Sequence, residues 1–230
     1  MSGVLTLIPT PIDEESPLEQ VAFEKLKLAT DNASNNIFII EDLKPGRRRW
    51  LKFGLTRELV EDFVLFNEHT RSETLPVILA ALKSGKNAFI MSDGGLPAFC
   101  DPGVELVRAC HLQSIKVTAS PFANSISLAL ALSGIDHSKF TFGGFLPIKS
   151  PERNEELSSL LKRKETLILM DTPYRMKKLL SEVVELKTGR TAFLAMDLNC
   201  TTEELHYGKL ESIIKRVKEF KREFILILSP

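Results

Sequence analysis

Asn87-Ala-Phe-Ile-Met91 runs directly into Ser92-Asp-Gly-Gly-Leu-Pro-Ala-Phe-Cys-Asp-Pro-Gly103. A short apolar run bounded by turn residues reads as a buried strand, and the stretch 104–112 that follows repeats its apolar residues at helical spacing. Strand, glycine turn and helix make half of a βα unit. Adjacent glycines let a backbone approach a ligand or take positive φ, and open α/β sheets bind ligands beyond the carboxyl ends of their strands. The plainer account is a tight turn in which Asp101 caps the helix and Pro102 opens it. That account covers Asp101 but leaves Gly94, Gly95 and Leu96 without a purpose, because they lie ahead of the cap.

The same alternation extends outward. Residues 4–8, 36–40 and 115–119 read as further strands, and 18–29, 57–67 and 72–83 as amphipathic helices between them, which predicts a mostly parallel sheet. Beyond residue 121 the strands at 139–142, 166–170, 190–196, 204–207 and 223–228 are separated by only two or three helices, so a mixed sheet is expected there. A length of 230 residues suits two domains of about 110 residues each. The change of pattern near 112–121 places them at 1–115 and 116–230.

Composition narrows the class. With 43% hydrophobic and 26% charged residues, the chain is expected to fold throughout. Thirty basic residues balance thirty acidic ones, so nucleic acid would need a local basic patch rather than a global field. Three cysteines, Cys100, Cys110 and Cys200, lack CxxC spacing, which argues against a disulfide framework and a zinc site. Neither a signal peptide nor a membrane span is read, and a cytoplasmic location is expected. The phosphate-cradling patterns GxxxxGK[ST] and GxGxxG are absent, as are HExxH and GxSxG, so a nucleoside triphosphate, a dinucleotide, metal chemistry and hydrolysis all lose ground.

Six segments appear together and in order: Ile8-Pro-Thr-Pro-Ile12, Ile40-Glu-Asp42, the loop 92–103, Gly144-Phe-Leu-Pro-Ile-Lys149, Asp171-Thr-Pro-Tyr-Arg175 and Glu203-Glu204. They resemble the tetrapyrrole methylase superfamily, and within it the branch that methylates the ribose 2′-hydroxyl of a cytidine in small-subunit ribosomal RNA (rRNA). The likeness runs over nearly the whole chain. It implies a two-domain α/β enzyme, usually a homodimer, that holds S-adenosylmethionine (SAM) in an interdomain cleft; in-line transfer from a sulfonium then requires no metal. Carried over by position, the donor pocket comprises Pro9, Gly94, Gly95, Leu96, Phe99, Asn124, Ser125, Met170, Leu198 and Asn199. Met170 equally suits a core position, and Asn124 and Ser125 equally suit the start of a helix closed by Gly134.

Three departures fall elsewhere. The branch pattern TPIGNL becomes Thr10-Pro-Ile-Asp13, PGPSA becomes Pro121-Phe-Ala-Asn-Ser125, and RELTK becomes Met196-Asp-Leu-Asn-Cys200. The last change removes two cations that would face phosphate.

A ribose hydroxyl is a weak acid, so a base near the acceptor would assist transfer. Glu41 and Asp42, after the strand at 36–40, are the catalytic candidates, with His69 and Asp197 behind them; turn and cap chemistry before Lys44-Pro-Gly46 is the alternative for the pair. Arg47-Arg-Arg-Trp50 offers three cations and a stacking surface for RNA, or else a solvated loop. Two other functions stay open: methylation of a tetrapyrrole carbon, and SAM binding with an eroded acceptor site.

Overall fold

Five parallel strands, β1 (Val4–Ile8), β2 (Asn36–Ile40), β3 (Val64–Leu65), β4 (Asn87–Met91) and β5 (Lys116–Ala119), form a sheet in the order β3-β2-β4-β1-β5. The computed structural model describes residues 2–99, 102–122 and 124–230, and the chain divides into two compact units, 1–122 and 123–230. Strand β5 pairs with β1, Val4 opposite Lys116. It therefore belongs to the first unit, so that unit runs past the expected boundary at 115.

Successive side chains of a strand point to opposite faces, and a parallel sheet must bury both. On one face Ile8, Phe38, Ile40 and Met91 join Ala22 and Leu26 of α1 (Gln20–Thr30) and Trp50 of α2 (Leu43–Lys52). On the other, Leu5, Ile39, Ala88 and Ile90 join Ile78 and Leu82 of α3 (Arg71–Lys83) and Leu106 and Cys110 of α4 (Val104–Leu112).

Two sequence expectations change. The segment 43–52 is a helix rather than a basic loop. Asp42 caps it by accepting the Lys44 N–H at 3.2 Å, and Pro45 sits in the first turn, where backbone N–H groups lack intrahelical partners anyway. Gly46 fits α2 against the sheet, since a β-carbon there would stand 2.8 Å from Ile40 Cδ1. The segment 57–67 is a 3-10 turn, Arg57–Asp62, followed by β3. Pairing of Val64 and Leu65 with Ile39 and Ile40 satisfies backbone groups at the sheet edge and overrides the helical spacing. Asp101, expected as a cap, and Cys100 lie outside the described residues.

The second unit holds β6 (Phe140–Phe145), β7 (Thr166–Met170), β8 (Thr191–Met196), β9 (Glu204–Lys209) and β10 (Phe224–Leu228) in the order β6-β7-β10-β8-β9. β6 and β7 are parallel and the remaining pairs antiparallel, the mixed sheet expected. One face packs on α6 (Glu152–Leu161), α7 (Met176–Glu185) and α8 (Leu210–Arg216), and the other on α5 (Ser125–Ser133). Asn124 caps α5 by accepting the Ser127 N–H at 2.9 Å, and Gly134, at φ +61°, closes it.

Candidate active site

In the first sheet β1 and β4 are neighbours, yet the chain leaves them in opposite directions, toward β2 from one and toward β5 from the other. Such a divergence opens a crevice at the carboxyl ends of the strands. The two exits are tied together. Thr10 and Gly95 exchange backbone hydrogen bonds, both 2.9 Å, Thr10 Oγ1 donates to Ser92 O at 3.0 Å, and Ser92 Oγ donates to Gly95 O at 2.8 Å. Gly95 adopts φ +99° with nothing within 4 Å of where a β-carbon would stand. Glycine is needed there for the backbone conformation, not for room.

Register supplies the rest. Ile40 lies opposite Met91, so Glu41 and Asp42 emerge beside Ser92 and Asp93. Half burial, followed by the charges of Glu41 and Asp42, pushes the Asp93 carboxyl up to about 6, with Arg49 pulling the other way. Burial likewise raises Glu41, opposed by the Asp93 backbone N–H and reinforced by Asp42. Arg49 is only 3% exposed. Its Nη1 donates to Pro11 O at 2.8 Å, and a β-carbon on Gly94 would meet its Nη2 at 3.3 Å. Burial lowers its affinity for the proton, against the attraction of Glu14 and Asp93.

Among the described residues three buried polar side-chain atoms have no protein partner: Arg49 Nε, Asp93 Oδ1 and Ser120 Oγ. All three belong to segments at or beside this crevice, where Ser120 follows β5. Unmade hydrogen bonds are costly inside a protein, so a cluster of them suits a polar ligand that would complete them. The arrangement offers a donor from the guanidinium and an acceptor from the carboxylate beside bare glycine backbone, and, after the neighbouring strand β5, a hydroxyl that does either.

The expected site residues are distributed as follows. Pro9 is buried, Leu96 half-buried and Phe99 exposed, all in the first unit with Gly94 and Gly95; Asn124 and Ser125 start α5, Met170 ends β7, Leu198 is buried and Asn199 is exposed in the second. Asn199 takes φ +64°, and its N–H donates to Glu203 at 2.9 Å. Of the catalytic pair, Asp42 is spent as a helix cap, whereas Glu41 is not. His69 is exposed beside Glu68, and Asp197 is paired with Arg222.

The arginine run lies on α2. On a helix its three side chains diverge: Arg47 pairs with Glu61, Arg48 with Glu14, and Arg49 turns inward. Trp50 is fully buried, edge-on to Phe38 and Phe63, with its Nε1 donating to Thr56 O. It is core, not a stacking surface. Sequence reading missed Asp93, Arg49 and Ser120 as a group, although Asp93 sat inside the glycine loop; what makes them a group is the order β2-β4-β1-β5. Among the described residues no cluster of three or more metal-ligating side chains occurs, and no helix is long and apolar enough to cross a membrane.

Comparison with known proteins gives a consistent class. The pattern of the Tetrapyrrole (Corrin/Porphyrin) Methylases matches residues 20–214. A Bacillus subtilis protein named Ribosomal RNA small subunit methyltransferase I is 33% identical, covering 98% of this chain and 75% of its own. The Thermotoga maritima protein of the same name is 30% identical over 99% of this chain and 98% of its own. In fold, a diphthine synthase superposes with TM-score 0.69 at 13% identity, covering 99% of this chain and 90% of that one. A Thermus thermophilus uroporphyrin-III C-methyl transferase complexed with S-adenyl homocysteine superposes with TM-score 0.57 at 16% identity, covering 99% and 97%. A parallel sheet with a glycine-loop crevice, followed by a mixed sheet, is thus the methylase type of α/β protein. The chain belongs to the tetrapyrrole methylase family.

Proposed function

We propose that this chain transfers a methyl group from SAM to the ribose 2′-hydroxyl of a cytidine in small-subunit rRNA. The observation that carries this reading is the 30% identity to the Thermotoga maritima rRNA methyltransferase over nearly the full length of both chains. The crevice fits the donor. SAM carries an ammonium, a carboxylate and ribose hydroxyls, and the crevice presents a carboxylate, a guanidinium and a hydroxyl with unmade bonds. Asp93, Arg49 and Ser120 would hold those groups while Gly94, Gly95, Leu96, Phe99 and Pro9 line the approach.

When bound, the sulfonium supplies an electrophilic methyl group. The protein's part is to bring the acceptor oxygen into line with it and to exclude water. Glu41 would take the hydroxyl proton as the oxygen–carbon bond forms and the carbon–sulfur bond breaks, leaving a neutral thioether. A carboxylate raised by burial is the better base for this task, because its affinity for the proton lies closer to the working pH. The acting form is a homodimer in the cytoplasm, and no metal takes part.

The test is transfer of tritiated methyl from SAM to small subunits purified from a deletion strain, followed by mapping of 2′-O-methylcytidine. Glu41→Gln is expected to lower kcat by about 10²-fold or more while SAM affinity, by calorimetry, stays unchanged. Absence of transfer by the parent protein overturns the reading.

A further inference from the structure

The crevice leaves two motifs unused: Gly144-Phe-Leu-Pro-Ile-Lys149, which begins in the last residues of β6, and Asp171-Thr-Pro-Tyr-Arg175, which follows the neighbouring β7. One fully buried guanidinium locks them together. Arg153 donates from Nη1 to Pro147 O at 3.0 Å, from Nη2 to Asp171 Oδ2 at 3.1 Å, and from Nε to both Glu182 oxygens at 3.0 and 2.8 Å. The other Asp171 oxygen accepts from Arg175 Nε at 2.6 Å and from the Thr172 N–H at 2.8 Å. A buried ion network returns little net stability for its desolvation, and its constraint is geometric. Neither segment can shift without breaking charged hydrogen bonds.

What this frame holds outward is apolar and basic. Tyr174 is 78% exposed, Ile148 67% and Phe145 46%. Lys221 Nζ lies 4.4 Å from the Tyr174 ring centroid, and Lys177 Nζ lies 5.8 Å from that of Phe220. These two pairings run in opposite senses between the segments around 174–177 and 220–221, so each segment fixes a lysine of the other. Among the described residues none of Lys149, Lys177 and Lys221 forms an ion pair with a carboxylate. Aromatic rings thus position the Lys177 and Lys221 ammonium groups without neutralising them, unlike Arg47 and Arg48, whose charges are met by Glu61 and Glu14.

We propose that this end of the second sheet is a docking surface for single-stranded RNA, with Tyr174 stacking under an unpaired base and Lys149, Lys177 and Lys221 meeting flanking phosphates. The proposal rests on the rRNA reading above and says where the acceptor strand is gripped. An exposed ring on an ordered frame, edged by uncompensated cations, matches the pairing of stacking platform and basic track by which proteins hold single strands. Duplex bases are already stacked and give such a ring nothing to receive. A protein partner fits less well, because lysine is depleted from protein interfaces.

The test measures affinity for a fluorescein-labelled single-stranded RNA of about a dozen nucleotides and for small subunits, each across a salt series. Tyr174→Ala is expected to weaken both by about ten-fold or more, with Tyr174→Phe restoring binding, since the ring and not the hydroxyl stacks. Lys177→Gln with Lys221→Gln is expected to flatten the logarithmic salt slope by about 1.4 on the oligonucleotide, about 0.7 for each phosphate left without its lysine. Arg47→Gln with Arg48→Gln should leave affinity and slope at the parent values, as should a calorimetric measurement of S-adenosylhomocysteine binding to all variants. If the parent methylates subunits and the Tyr174 and lysine variants do so with unchanged KM, this surface falls and the rRNA reading stands. If the parent neither binds nor methylates subunits, both fall. A Tyr174→Ala protein that changes its mass by light scattering while binding RNA normally shows a subunit contact instead, and overturns the proposal.

Discussion

Asp93 stands half-buried against two other carboxylates, and the linkage between its proton and folding follows from that position. Its folded value of about 6 exceeds the ordinary 3.8, so the native state holds the proton more tightly than the unfolded chain. Stability from this group is therefore full below about pH 4, declines as pH rises toward 6, and is constant above. Asp93→Asn removes the decline. The Tm of the variant minus that of the parent should grow between pH 4 and 6.5 and then level off; a difference constant from pH 4 to 8 would show that ionisation of Asp93 is not penalised. Gly95 is a separate case, because a β-carbon there meets nothing within 4 Å while φ is +99°. Gly95→Ala should cost about 1–2 kcal/mol in urea unfolding through backbone strain alone.

At the scale of elements, the clearest contrast lies between the two kinds of ion pair. Asp171 and Arg153 have side chains with no exposure at all, whereas Arg48 and Glu14 are about half exposed, at 51% and 46%. Asp171→Ala leaves Nη2 of a buried guanidinium without its carboxylate, although Glu182 still pairs with Nε, and should destabilise by about 3 kcal/mol, while Glu14→Ala should cost under about 1 kcal/mol. Equal costs in urea unfolding would mean that the Arg153 network constrains nothing. Neither pairing was legible in the sequence, because each joins residues from different elements. The strands were legible, since continuous apolar runs such as 88–91 and 167–170 call for burial on both faces. α2 was not, because Pro45 and Gly46 imitate a turn, and the helix they open is justified only by the Asp42 cap and the fit of Gly46 against Ile40. The glycine loop of the crevice was visible in the sequence, but the convergence of Arg49, Asp93 and Ser120 upon it depends on strand order, which residue spacing does not encode.

For the whole molecule the open quantity is subunit number. Helix α5 is apolar on nearly all sides, a pattern that calls for burial, and part of that burial is found within one chain: Ile126, Ala129 and Leu130 are buried against β10 and its neighbours. Leu132 remains 44% exposed. The wider case for a dimer is the family likeness together with equal numbers of acidic and basic residues, which leaves no net repulsion between copies. A stable interface buries about 1,600 Å² in all, enough to make unfolding depend on protein concentration. Light scattering at micromolar concentration should therefore give twice the 25.8 kDa of one chain, and Tm should rise with concentration over a hundred-fold range. A mass of one chain with a concentration-independent Tm removes the dimer. It would leave the crevice untouched, since Thr10, Glu41, Arg49, Asp93, Gly95 and Ser120 all come from residues 1–122 of a single chain.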